Sequence, residues 1–309
     1  MSAPVALANE DRPLLGISMM LVAYLCFSFI DAGAKWLAIA GLPAMQLAFM
    51  RYFGHFAIST ALLVRTGEGW SAFSSPRLPL VVLRGTLLMV STVLNFTALR
   101  YIPLTLTSTI LFSAPIIICA LSWPLLGERV GIWRWSAIII GFVGIVIASR
   151  PFDESFHWAV LLSLAGAFCF AMYSILTRHL AGVVATDTMQ FYSGVVGTMT
   201  LLPFAATQWI APQTAMGWIV LFGIGVFGWM GHQILTKAHS FATATTLTPF
   251  AYSFIIYLAV WSYFLFNHLP DQWTITGGAI IIAAGLVIWG RQRHLAQVAM
   301  AMPPGKAVS

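Results

Sequence analysis

Ten continuously apolar blocks run along the chain, and its polar residues fall mostly in the short gaps between them. The blocks lie near 14–37, 43–64, 80–99, 102–124, 132–149, 157–177, 188–206, 215–236, 242–266 and 273–290. Each approaches the ~20 residues a helix needs to cross a hydrocarbon layer of ~30 Å. The strands of a membrane barrel would alternate apolar with polar residues instead. In lipid a helix satisfies its backbone hydrogen bonds within one block, so the pattern predicts an all-α membrane protein of ten transmembrane helices. Loops are short, the longest near 66–78 and 207–214 being rich in Gly, Ser and Pro. The first 13 residues lack the basic region and cleavage site of a signal peptide, so the first block is expected to persist as a helix. The Ala/Met/Pro-rich tail after Arg293 is expected to be disordered.

The polar break Arg150-Pro151-Phe152-Asp153-Glu154 leaves five blocks on either side, and the two sides resemble each other. CFSFIDAGAKWLA from Cys26 aligns with CFAMYSILTRHLA from Cys169, matching Lys35 to Arg178 and setting Asp31 opposite Ser174. Met45-Gln46 matches Met189-Gln190, and ALRYIPLTLTSTILFS from Ala98 aligns with AHSFATATTLTPFAYS from Ala238. An odd number of spans per copy forces the copies into opposite orientations. The expected organisation is two inverted five-helix repeats, 14–150 and 151–291, around a central cavity, between an N-terminal segment 1–13 and a tail 292–309. Secondary transporters share this layout, with their site near the midplane between the halves.

Composition agrees: 60% of residues are hydrophobic and 8% charged, against about 25% charged in soluble domains. The net charge of +6 is an orientation signal. With the N-terminus inside, Arg12, Arg65, Arg77, Arg84, Arg129, Arg134, Arg178, Lys237, Arg291, Arg293 and Lys306 fall on the cytoplasmic side. Lys35, Arg51, Arg100 and Arg150 fall opposite, a ratio of eleven to four. This bias predicts a multi-pass protein of the cytoplasmic (inner) membrane with both termini in the cytoplasm and no nucleic-acid partner. Cys26, Cys119 and Cys169 lie inside apolar blocks with neither metal nor disulfide spacing. There is no P-loop and no HExxH pair, and His and Cys show no base–nucleophile pattern, so neither an enzyme nor a metal site is expected. Trp residues cluster at block ends as an interfacial belt, and Gly141, Gly144, Gly194, Gly197, Gly223, Gly225, Gly228 and Gly231 are placed to let helices approach closely.

The segment Ala98–Ile147 begins with Thr/Ser-rich helix residues, carries Pro115 mid-helix and the LGE sequence at Leu126–Glu128, and ends in a Gly-containing fifth span. It resembles the drug/metabolite transporter superfamily in its EamA-type branch. The second half repeats the pattern at ATATTLTPFAY from Ala242 and LPDQWTITGGAIIIAAGLVI from Leu269, with Asn267-His268 where the first half has Gly127-Glu128. The resemblance implies ten helices around a central cavity, with the fifth and tenth peripheral. It also implies export of amino acids or other metabolites, or exchange of sugar-linked nucleotides and phosphorylated sugars, with no cofactor.

Ionisable residues within spans are costly and therefore functional candidates. Tyr24, Ser28, Asp31 and Lys35 share a face of the first span, where Asp31 and Lys35 are spaced to pair. Phe27 lies beside them, and Asn95 lies on a stripe with Arg84, Leu88 and Ser91. Thr105, Thr107, Ser108 and Thr109 open the fourth span; Pro115 and Pro249 are expected to kink the fourth and ninth. Tyr173, Ser174, Trp229, His232, Tyr252 and Tyr257 complete the cavity candidates from the second half, and Asp31 and His232 are the proton-coupling candidates. The aromatic set fits apolar or aromatic side chains by stacking. The leading expectation is export of small metabolites, foremost amino acids, by alternating access. A phosphorylated or nucleotide-bearing substrate would need cavity-facing Lys and Arg, whereas the basic residues sit mostly at block ends. A membrane-embedded enzyme is the remaining alternative.

Overall fold

The computed structural model describes residues 12–66, 75, 77–126, 132–154, 156–180, 183–242 and 247–301. The expectations for residues 1–11, Trp70, Gly127, Glu128, Arg129, Thr243–Thr246 and Lys306 lie outside that range, as do those for the side chains of Arg134, Arg178, Pro249 and Arg293. The helices are α1 (Pro13–Ile39), α2 (Ala44–Thr66), α3 (Leu78–Leu99), α4 (Leu104–Leu111), α5 (Ala114–Leu126), α6 (Ile132–Ser149), α7 (Ala159–Leu180), α8 (Thr186–Thr207) and α9 (Ala215–Phe241). A 3-10 helix (Thr248–Tyr252), α10 (Ser253–Phe266) and α11 (Gln272–Ala301) follow. There is no strand among the described residues. α11 continues through residues 294–301, where the sequence suggested a disordered tail.

Six of the described helical segments are long and apolar enough to span a membrane by themselves. α2 and α8 are not among them, because they carry polar side chains into the bundle: Gln46, His55 and Ser59 on α2, and Gln190, Ser193 and Thr198 on α8. Spans four and nine each change helical geometry partway along, where kinks were expected. Pro115 lacks an N–H, and its ring collides with the carbonyl four residues back, so α4 closes at Phe112–Ser113 before α5 begins. In the second half Pro249 sits in the first turn of the 3-10 helix, where a missing N–H is tolerated. The prolines do not correspond, yet the breaks at Phe112–Ser113 and Tyr252–Ser253 are equivalent positions of the repeat. Their rings touch, with Phe112 and Tyr252 centroids 5.2 Å apart.

Packing follows the same two-fold relation. α1 lies along α9 as α7 lies along α3, and α2 leans on α9 as α8 leans on α3. α2 meets α8, its own counterpart, and α6 meets α11 as a peripheral pair. Small residues allow these crossings. A Cβ on Gly54 would lie 2.6 Å from the Cα of Gly225, and one on Gly144 would lie 2.9 Å from the Gly277 carbonyl. The Tyr52 ring of α2 fills the space left by Gly197 of α8. One apolar core, including Ile30, Leu37, Leu47, Phe96, Leu99 and Leu258, runs through both halves.

The halves are also tied at their ends. Arg12 N–H donates to the Phe241 carbonyl at 3.2 Å, joining the start of α1 to the end of α9. Arg150 donates to Asp271 at 2.8 Å, and the Thr274 N–H donates to the other Asp271 oxygen at 2.7 Å, capping α11. Slight burial pushes the Asp271 carboxyl up; the bonds from Thr274 and the Arg150 charge outweigh it and leave the group below the usual carboxylate range. Asn267, at φ 50°, ends α10 in the left-handed conformation.

Gly225→Leu is expected to lower the thermal unfolding midpoint of the detergent-purified protein by several degrees, through overpacking worth about 1–3 kcal/mol. Gly223→Ala is the control: the nearest atoms to a new Cβ there are the Phe227 ring of the same helix at 3.7 Å. An equal loss in both variants would show that the α2–α9 approach is not what limits side-chain size.

Candidate functional site

α3 carries the polar seam of the molecule. Its expected stripe is buried, but each member has a different task. Arg84 is 2% exposed and reaches across to the second half. Its guanidinium donates to Thr177 Oγ1 (2.7 Å) and Tyr173 OH (2.8 Å) on α7, and to Ser193 Oγ (3.0 Å) and the Met189 carbonyl (3.1 Å) on α8. The Tyr173 ring lies 4.4 Å from the guanidinium carbon. Thr177 and Ser193 send their own protons to carbonyls one turn back, so they present lone pairs to the arginine. Among the described residues, no carboxylate pairs with Arg84.

Two turns further along α3, Thr92 gives its proton to the Leu88 carbonyl at 2.9 Å. Its oxygen then accepts from Arg51 Nη1 at 3.0 Å and from Tyr52 OH at 2.8 Å. Asn95 donates to Asp31 Oδ2 at 3.3 Å, and the Arg51 charge acts on that carboxylate. Ser91 donates to the Gly166 carbonyl.

The expected Asp31–Lys35 pair does not form. Lys35 donates to the carbonyls of Leu99 (2.9 Å) and Ile102 (2.7 Å), at the C-terminal end of α3. Those carbonyls lack helical partners and carry the negative end of the helix dipole, so they draw the ammonium inward.

Between the halves lies a tight cleft, with a cavity volume of about 10 Å³, lined by Arg51, Tyr52, His55 and Leu88 from the first repeat and Gln190, Ser193 and His232 from the second. That is room for about one water, far below the ~300–1,000 Å³ usual for drug-sized ligands, so the helices stand closed on it. Two lining groups are buried without hydrogen-bond partners, His55 Nε2 and Gln190 Oε1, each on a residue 6% exposed. Orphaned polar atoms of this kind are uncommon in native interiors and call for an explanation. The His55 and His232 rings meet edge-on at 5.9 Å, and Phe27 packs on His232 at 5.0 Å with Tyr24 beyond it. A wider groove of about 500 Å³, lined by Met19, Gln233, Ile234, Thr236 and Lys237, opens at the ends of α1 and α9.

The sequence candidates therefore divide. His232 lines the cleft, Phe27 and Tyr24 extend it, and Asp31 accepts from Asn95, one turn along α3 from the Thr92 that holds Arg51. Tyr173 is the acceptor for Arg84. Four others are turned elsewhere. Ser28 accepts from Trp261 Nε1 at 3.0 Å, and Ser174 donates to its own helix at Phe170. Thr109 faces Gly278, and the Tyr252 hydroxyl faces Gly285, both on α11. Trp229 Nε1 is buried without a partner, and Tyr257 is half-buried away from the cleft lining.

Arg51, Tyr52, His55, Gln190 and Ser193 are cleft residues that the apolar pattern does not single out. Arg51 and His55 fall in the interior of the second block, 43–64, one helical turn apart on one face of α2. That spacing, and the repeat match of Gln190 with Gln46, are the available signals. Lys35, Arg51 and Arg84 lie inside the bundle, which corrects the placement of the basic residues at the membrane surfaces. Without them the tally of basic residues is ten against two, and its sign is unchanged.

Arg84→Met is expected to reduce stability by about 2–4 kcal/mol, since four acceptors lose their donor and interhelical bonds in membranes contribute roughly 0.6–1.7 kcal/mol each. Chemical or thermal unfolding in detergent measures it, and a loss below about 1 kcal/mol would show the hub to be dispensable.

Comparison with known proteins adds family to geometry. The EamA-like transporter family matches twice, over residues 14–150 and 157–290. An S-adenosylmethionine uptake transporter of Rickettsia bellii (strain RML369-C) is 32% identical over 275 residues, covering 89% of this chain and 93% of that one. A pseudopaline exporter of Pseudomonas aeruginosa (strain UCBPP-PA14) is 29% identical, covering 88% and 95%. A riboflavin transporter of Vibrio cholerae is 28% identical, covering 88% and 92%. One solved crystal structure shares the fold with a TM-score of 0.62 at 16% identity, covering 93% of this chain and 99% of that one. The chain belongs to the EamA-like transporter family, within the drug/metabolite transporter superfamily, and is a multi-pass membrane protein that carries two copies of the family unit.

Proposed function

We propose that the protein is a secondary transporter of small amino-acid-derived metabolites in the cytoplasmic membrane, with both termini in the cytoplasm. One observation carries the reading: a closed cleft at the interface of the repeats combines a cation with donors to spare, Arg51, with an orphaned acceptor, Gln190 Oε1, beside an aromatic wall of Phe27 and Tyr24. A carboxylate, an amino group and an apolar or aromatic body would each find a complement there. The relatives named for S-adenosylmethionine fit the reading, since that molecule is an α-amino acid with an adenosyl sulfonium attached. The ten-to-two excess of basic residues supports the orientation. Direction follows the gradients: rocking about a midplane site carries substrate either way, and the relatives include both an uptake transporter and an exporter.

A phosphorylated substrate is less well matched. Arg84 is committed to four protein acceptors and Lys35 to two, which leaves a single guanidinium at the cleft. Coupling to protons falls to Asp31, the buried carboxylate that accepts from Asn95, with His232 second.

In liposomes, the purified protein is expected to catalyse flux of labelled amino acids or S-adenosylmethionine above that of empty vesicles; no flux across such a panel by folded protein would overturn the reading. A pH gradient alone is expected to drive accumulation, and Asp31→Asn to remove that accumulation while sparing exchange down a substrate gradient. Accumulation that survives Asp31→Asn would assign the proton elsewhere.

A further inference from the structure

The buried charges of the bundle do not balance. Among the described residues Lys35 and Arg84 are buried in it, Arg51 is half-buried at its cleft, and Asp31 is the one buried carboxylate. Lone buried charges are expensive, and the membrane around the bundle offers them no water. The three cations meet that cost differently. Lys35 has two backbone carbonyls and the Phe266 ring at 5.6 Å. Arg84 has four oxygen acceptors and the Tyr173 ring. Both are solvated by fixed neutral dipoles and leave their full charge in the local field.

Arg51 is the exception. Of the five N–H groups a guanidinium carries, one is used, on Thr92. Its stem packs over Gly228, where a Cβ would meet Arg51 Cγ at 3.5 Å, and its head lines the cleft with the orphaned His55 Nε2 and Gln190 Oε1. Asp31 acts on it without a direct ion pair among the described residues. A guanidinium with free donors shares the cleft with two unpartnered polar atoms, an arrangement suited to an anion beside a hydrogen-bonding group. Bidentate binding of a carboxylate would use the planar fork, and Gln190 Oε1 could accept from an adjacent amino group.

We infer that the cleft is a carboxylate-anchoring site in which Arg51 holds the acid group of the transported molecule, and that the surplus positive charge around it favours substrates of zero or negative net charge over cationic ones. The inference rests on the transport reading above and narrows it. S-adenosylmethionine, with its carboxylate, ammonium and sulfonium, carries one net positive charge. Among molecules of that shape, the charge-neutral S-adenosylhomocysteine is then the better ligand.

The test is equilibrium binding and flux with the full-length protein in lipid nanodiscs and liposomes. Three near-isosteric probes are compared: S-adenosylhomocysteine, S-adenosylmethionine and decarboxylated S-adenosylmethionine. A second pair, methionine and its carboxylate-free analogue methioninol, removes any dependence on room for the adenosyl group. The expected order is S-adenosylhomocysteine over S-adenosylmethionine by about tenfold, the effect of one unit charge at several ångströms in a medium of intermediate dielectric. The decarboxylated compound and methioninol fall below detection. Arg51→Gln weakens the carboxylate-bearing probes about 30-fold or more and flattens the order; Arg51→Lys restores part of the affinity.

Equal or tighter binding of S-adenosylmethionine, or of methioninol over methionine, overturns the inference and leaves the transport reading standing. So does an Arg51→Gln protein of unchanged melting temperature that keeps the wild-type order. Absence of binding and flux for every probe, by protein whose melting temperature shows it folded, overturns both.

Discussion

An arginine side chain placed inside a membrane bundle must be hydrogen-bonded on all sides by protein, because the lipid supplies nothing. Arg84 meets this requirement by drawing on three helices at once, donating from α3 to α7 and α8. That demand fixes much else. It sets the rotation of α7, so that Thr177 and Tyr173 point inward, and of α8, so that Ser193 does. Ser193 and its neighbour Gln190 then line the cleft, and Gly197, one turn further on, receives Tyr52 from α2. The position of Tyr52 brings Arg51 and His55 to the same space. The cleft thus follows from the solvation of a charge that does not itself line it.

The fold is readable because lipid makes hydrophobicity a direct measure of location. The ten blocks and the repeat need only block lengths and internal similarity. The same simplicity hides the site. A basic residue within a few positions of a block end looks like an interfacial anchor, and on that ground Arg84 reads as a surface residue. Sequence distance from a block end does not say which way the side chain turns. For Arg51 the turn is decided by Thr92 on another helix, and for Lys35 by the exposed carbonyls at the end of α3. Ser28 and Tyr252 show the converse. Each sits on a plausible face and is claimed by a neighbour, Trp261 in one case and the hollow at Gly285 in the other.

The two halves share a scaffold and divide the chemistry. The offset that aligns Ala98 with Ala238 sets Thr92 opposite His232; His232 lines the cleft, and Thr92 accepts from the Arg51 that lines it from the other half. The charged residues at the cleft come from the first half, and the second contributes neutral groups. The scaffold can be two-fold because apolar packing tolerates many sequences of similar volume. The site cannot, because a small asymmetric molecule presents different groups to its two sides.

The contact between Phe112 and Tyr252 places one pair of equivalent residues against each other, which is possible only on the two-fold axis itself. An inverted-repeat protein reaches its opposite-facing state when the two halves trade conformations. Contacts away from the axis, such as α1 against α9 and α7 against α3, must then exchange geometries. A contact on the axis is its own mirror and survives the exchange unchanged. The Phe112–Tyr252 contact, with the α2–α8 and α6–α11 contacts between counterpart helices, therefore marks where both end states agree, a fulcrum about which the rest can turn.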